Sequence, residues 1–85
     1  MTPAELAYRE RVAFGRGLRE LRRRRRMTQG ELGALIGVTQ GTVSRIESAE
    51  QVPDCDDVFN IAAALHVLPS ELFTTAPTGR PGWIF

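Results

Sequence analysis

The chain has 85 residues, of which 42% are apolar and 25% charged, the composition of one small globular domain. Its formal net charge of +1 conceals a division: residues 1–45 hold ten Arg and four Glu, residues 46–85 one Arg and six acids, and there is no Lys. Such a split points to a polyanionic partner on the basic side. No stretch approaches ~18 consecutive apolar residues, so no membrane contact is expected, and the start lacks the basic region and apolar run of a secretory signal. A single cysteine, Cys55, and a single histidine, His66, exclude an intrachain disulfide, Cys-based zinc sites and His pairs. The expected compartment is the cytoplasm, near the nucleoid, with no cofactor and no metal.

The first predicted helix starts at Thr2-Pro3-Ala4-Glu5. Thr2 suits the cap, Pro3 the first helical position and Glu5 the capping box. It runs to about Arg26, with Phe14, Leu18 and Leu21 on one apolar face. Gly15 and Gly17 each cost about 1 kcal/mol against Ala inside a helix. They leave open a division into two helices, so the expected fold is an all-α bundle of five or six helices.

Thr28-Gln29-Gly30-Glu31 is a second capping box, and Gly37 stops the helix it opens. Thr39 caps a third helix whose inward residues are Val43 and Ile46. Two short helices joined by a tight Gly-containing turn make a helix-turn-helix. With Val43 and Ile46 inside, Gln40, Gly41, Ser44 and Arg45 face out. Asp54 caps a fourth helix, with Asp56 and Asp57 at its positive end and Val58, Ile61, Ala62 and Leu65 on its apolar face. Ser70-Glu71-Leu72-Phe73 reads as a short fifth helix. Residues 74–82 have the Pro, Gly and Thr content of a loop, and Trp83-Ile84-Phe85 follow.

Residues 14–73 resemble the phage-repressor and Cro-type (XRE-like) helix-turn-helix DNA-binding family. The residues that carry the likeness are Leu18-Arg19-Glu20-Leu21-Arg22, Met27-Thr28-Gln29-Gly30-Glu31-Leu32 and Ile36-Gly37-Val38-Thr39-Gln40. Thr42-Val43-Ser44-Arg45-Ile46-Glu47, Pro53, Ile61-Ala62, Ala64-Leu65 and Ser70-Glu71-Leu72-Phe73 complete it. The resemblance implies a lambda-repressor-like bundle that lays its third helix in the major groove of double-stranded DNA. It implies base contacts from Thr39, Gln40, Ser44 and Arg45, phosphate contacts from Gln29 and Thr42, and a structural ion pair between Arg22 and Glu47. Gly33 stands where the family usually has Ala, at the close crossing of the two motif helices. Cys55 takes a bulky apolar position and is expected as a core thiol. His66 takes the usual Gly stop of the fourth helix, and Arg26 the usual Gly or Asn stop of the first.

Gly41 carries no side chain at a position the family often uses to read a base, so readout per half-site is thin and a homodimer is expected. Leu68, Leu72, Phe73, Trp83, Ile84 and Phe85 are the expected dimer or partner surface. The expected division is an N-terminal helical extension over 1–13, the DNA-binding domain over 14–73 and a C-terminal tail over 74–85. The expected function is a transcriptional regulator, a repressor on a palindromic operator. The alternative is an antitoxin or restriction-modification controller that also binds a protein partner. No nucleophile–base pair, phosphate loop or metal cluster points to an enzyme.

Overall fold

In this computed structural model residues 1–74 are described, without the side chains of Phe73 and Thr74. The helices among them are α1 (Pro3–Arg24), α2 (Gln29–Ile36), α3 (Gln40–Glu47), α4 (Cys55–Ala64) and α5 (Pro69–Thr74). Local chemistry explains each start. Thr2, Thr28, Thr39 and Asp54 sit in extended backbone, and each side chain accepts from the amide three residues on. At α2 the box is reciprocal, since Glu31 accepts from the Thr28 amide at 3.1 Å.

α1 is one uninterrupted helix, so the six-helix alternative does not hold. Gly15 has a reason to be there that lies elsewhere in the chain. A Cβ on it would stand 2.4 Å from the carbonyl oxygen of Glu47 and 2.8 Å from that of Ile46. The close seat of α1 against the end of α3 requires bare backbone there, and this outweighs the ~1 kcal/mol helix penalty. Gly33 does the same for the α2–α3 crossing, where a Cβ would meet the Val38 carbonyl oxygen at 2.7 Å.

The core draws on all five helices: Phe14 and Leu18 from α1, Leu32 from α2, Val43 and Ile46 from α3, Ile61 and Ala62 from α4 with Leu65 just after it, and Leu72 from α5. Each large side chain sealed in this way contributes about 1.5–3 kcal/mol relative to an exposed one. Two expectations are corrected here. Leu72 is 1% exposed, so it fills the domain's own core and is not available to a partner. Cys55 is exposed, because the first turn of α4 overhangs the core, and full burial along that helix begins only at Ile61. Leu68 does remain at the surface. Trp83, Ile84 and Phe85 lie outside the described residues, as does the side chain of Phe73.

Three helices end on left-handed residues that are not glycine: Arg26 (φ 52°), Ala49 (φ 65°) and His66 (φ 57°). Each stop has the same pair of closing bonds. At the first, the Arg26 amide donates to the Arg23 carbonyl at 2.9 Å and the Met27 amide to that of Arg22 at 3.1 Å. Left-handed backbone costs an L-residue roughly 1–2 kcal/mol, and among the described helix ends α2 avoids it, with Gly37 at φ 78°.

Candidate nucleic-acid interface

The front of the motif is a shallow basic surface. Arg23, Arg26, Met27, Thr28, Gln29, Gly30 and Gln40 line one concavity, with Arg22 at its base. The starts of α2 and α3 both open toward it, and helix starts carry unpaired amides and partial positive charge. Of the five-arginine run, Arg22 is buried while Arg23, Arg24, Arg25 and Arg26 are exposed. Arg24 is occupied by Glu20, one helical turn back, at 2.6 Å.

Behind this surface lies a polar network centred on Glu47, whose side chain is fully buried. Arg22 donates to it twice, from Nε to Oε2 at 2.6 Å and from Nη2 to Oε1 at 3.1 Å. The same guanidinium donates from Nη1 to the Met27 carbonyl at 2.7 Å. Arg19 reaches Oε1 at 3.3 Å and Gln29 Nε2 reaches it at 3.0 Å. Gln29 Oε1 in turn accepts from Gln40 Nε2 at 2.7 Å. A continuous path thus runs from the first residue of α3, through α2, to α1. Burial pushes the Glu47 carboxyl up, but the hydrogen bonds from Arg22, Gln29 and Arg19 and the Arg22 charge outweigh it. The net is a carboxyl held below its ordinary value of 4.5. No buried side-chain nitrogen or oxygen among the described residues lacks a hydrogen-bond partner.

The outward face of α3 presents Gln40 and Arg45 exposed, with Gly41, Thr42 and Ser44 half-buried between them. Two hydroxyls on this face are already engaged. Thr39 Oγ1 accepts from the Thr42 amide at 3.1 Å and lies 3.0 Å from Thr42 Oγ1. Arg45 Nη2 donates to Thr42 Oγ1 at 3.2 Å, and Arg45 Nε to Gln51 Oε1 at 3.0 Å. Arg19 and Gln51 are therefore site residues that the sequence reading missed. Arg19 has a signal, since it lies three residues before Arg22 and so shares its helix face. Gln51 has none, because only the turn after α3 brings it back.

The helix-turn-helix domain family matches residues 13–73. The chain belongs to this family, in its phage-repressor or XRE-type branch. It is 36% identical over 64 residues to the HTH-type transcriptional regulator RghRB of Bacillus subtilis, itself uncharacterized. That match covers 74% of this chain and 46% of RghRB, so the chain spans about half the length of that relative. The restriction-modification controller protein C.AhdI from Aeromonas hydrophila superposes with a TM-score of 0.71 at 34% identity, over 73% of this chain and 94% of that one. The P22 c2 repressor, solved in complex with a synthetic operator, superposes with a TM-score of 0.69 at 26% identity, over 72% and 92%. Like these folds, this helix-turn-helix chain is all-helical among its described residues. None of its described helices is long and apolar enough to cross a membrane.

Proposed function

We propose that this chain is a sequence-specific transcriptional regulator that binds a palindromic operator as a homodimer and represses by occupying it. The observation that carries the reading is the outward face of α3. Gln40 and Arg45, the two side chains there with the geometry to read base edges bidentately, stand exposed five residues apart, with Ser44 beside them. The Glu47 network supports Gln40 from behind. In this reading Gln40 pairs with adenine, Arg45 with guanine O6 and N7, and Ser44 with either base type. Thr39 contributes its methyl group to a thymine, since its hydroxyl is used in the cap. Gln29 and Thr42 contact phosphate, together with the amides at the start of α2 and the neighbouring Arg23 and Arg26.

Gly41 reads nothing, so each α3 covers few bases and two copies are needed to find one site. Leu68 belongs to the proposed dimer surface and Leu72 is removed from it; Phe73, Trp83, Ile84 and Phe85 are proposed for it on their apolar character alone. Selection of bound sequences from a random duplex pool at two salt concentrations tests the whole reading. The expected outcome is a palindrome with half-sites ~34 Å apart. Its log K falls with log salt by about 0.9 for each phosphate neutralised. No enrichment, or a single asymmetric half-site, overturns it.

The 34% identity to C.AhdI over nearly all of that chain favours a second reading within the same chemistry, a controller of restriction-modification genes. The location of the selected palindrome separates the two. A site upstream of such genes supports the controller, and any other location supports a general repressor.

A further inference from the structure

We infer that Gln51 is a positioning residue that aims Arg45, and so sets which base pair α3 selects. The inference rests on the reading of α3 as the base-reading helix. Gln51 holds Arg45 at two points. Its amide donates to the Arg45 carbonyl at 3.2 Å, and its side-chain Oε1 accepts from Arg45 Nε at 3.0 Å. The turn that permits this is the left-handed one at Ala49, after which the Glu50 amide also donates to the Arg45 carbonyl, at 2.8 Å. Gln51 is itself half-buried and lines a groove with Phe14, Val52, Pro53 and Val58, while Arg45 is exposed.

The rest of the clasp lies on α3. Thr42 Oγ1 accepts from Arg45 Nη2 at 3.2 Å. Gly41 leaves the third side clear, since a Cβ there would stand 3.3 Å from Arg45 Nη1. A guanidinium has five N–H donors. The clasp uses Nε and one N–H of Nη2, which leaves both N–H groups of Nη1 and the second of Nη2. The end of the fork is one N–H of Nη1 and one of Nη2, and the clasp leaves an N–H on each nitrogen for an end-on contact. An end-on pair of donors matches the O6 and N7 acceptors of guanine. An unclasped arginine is free to turn to a nearby phosphate instead, which adds affinity without base choice. The absent side chain at position 41 and the glutamine at 51 thus act on one target, the direction of one guanidinium.

The test uses full-length wild type, Arg45→Ala, Gln51→Ala and Gln51→Glu, each measured on the selected duplex and on duplexes changed at one base pair. Arg45→Ala is expected to abolish the preference at one position in each half-site. Gln51→Ala is expected to lower the preference at that same position by roughly tenfold, within the range one bidentate contact provides. Preferences elsewhere and the salt slope stay as in wild type. Gln51→Glu retains an acceptor for Nε and keeps the base preference. If Arg45→Ala removes the preference and Gln51→Ala does not, the positioning role is wrong and the base-reading role of Arg45 stands. An equal loss at every position for Gln51→Ala overturns the inference as a general disturbance of the domain. If Arg45→Ala leaves every preference intact, the base-reading assignment itself fails.

Discussion

Two side chains of α3, Glu47 and Arg45, are held by different physics. Glu47, the last residue of the helix, is sealed against Arg22 and joined through Gln29 to Gln40. Arg45, two residues earlier, is clasped in the open by Gln51 and Thr42. A buried charge that loses its partner is left without solvent, so the Glu47–Arg22 pair carries a large penalty for a break. An exposed hydrogen bond exchanges readily with water and contributes little to folding. The lesson is that one short helix separates its two needs. Its placement is secured at Glu47, which water does not reach. Arg45, its proposed reading side chain, is only aimed, by exposed contacts that can change without unfolding the domain.

Four changes test that contrast, from large to small. Arg22→Ala leaves Glu47 buried without its main partner and is expected to cost ~3–5 kcal/mol, read as a fall in the urea midpoint. A loss under about 1 kcal/mol would show that Arg19 and Gln29 suffice, and that the sealed pair is no stronger than the clasp on Arg45. Gly15→Ala drives a methyl into the Glu47 and Ile46 carbonyls and is expected to cost about 1–3 kcal/mol. Calorimetric melting checks it, and a raised melting temperature would mean that helix propensity governs position 15.

Acid is the third. The folded carboxyl of Glu47 binds its proton more weakly than the unfolded one, so its contribution is present above pH 4.5 and is lost as pH falls below that value. Unfolding free energies of wild type and Glu47→Gln, measured from pH 7 down to pH 3, are expected to converge toward the acid end. Parallel curves would remove Glu47 from the pH response. The smallest effect is Gln51→Ala, expected within about 0.5 kcal/mol of wild-type stability by the same urea melts. A loss as large as that of Arg22→Ala would erase the distinction between Glu47 and Arg45.

What the sequence showed and what it hid divide by distance along the chain. The caps at Thr2, Thr28, Thr39 and Asp54 are local events within four residues, and each was legible. The outward set on α3 followed from helical periodicity once Val43 and Ile46 were inside. Gly15 looked like a defect because its reason, the α3 carbonyls at 46 and 47, lies some thirty residues away. Gln51 was silent for the same kind of reason, since its partner is reached only through the left-handed turn at Ala49. Cys55 was misplaced because helix periodicity says which face a residue is on, and not whether the neighbouring elements extend far enough to cover it. Leu72 was counted as surface for the converse reason: its apolar character shows that it must be buried, but not against what.

The arginine-rich end of α1 lies beside the starts of α2 and α3, while Asp54, Asp56 and Asp57 gather at the start of α4. In the field of a polyanion, positive charge gathered on one surface is drawn ahead of the rest of the body. Added salt shortens the distance over which such a pull acts.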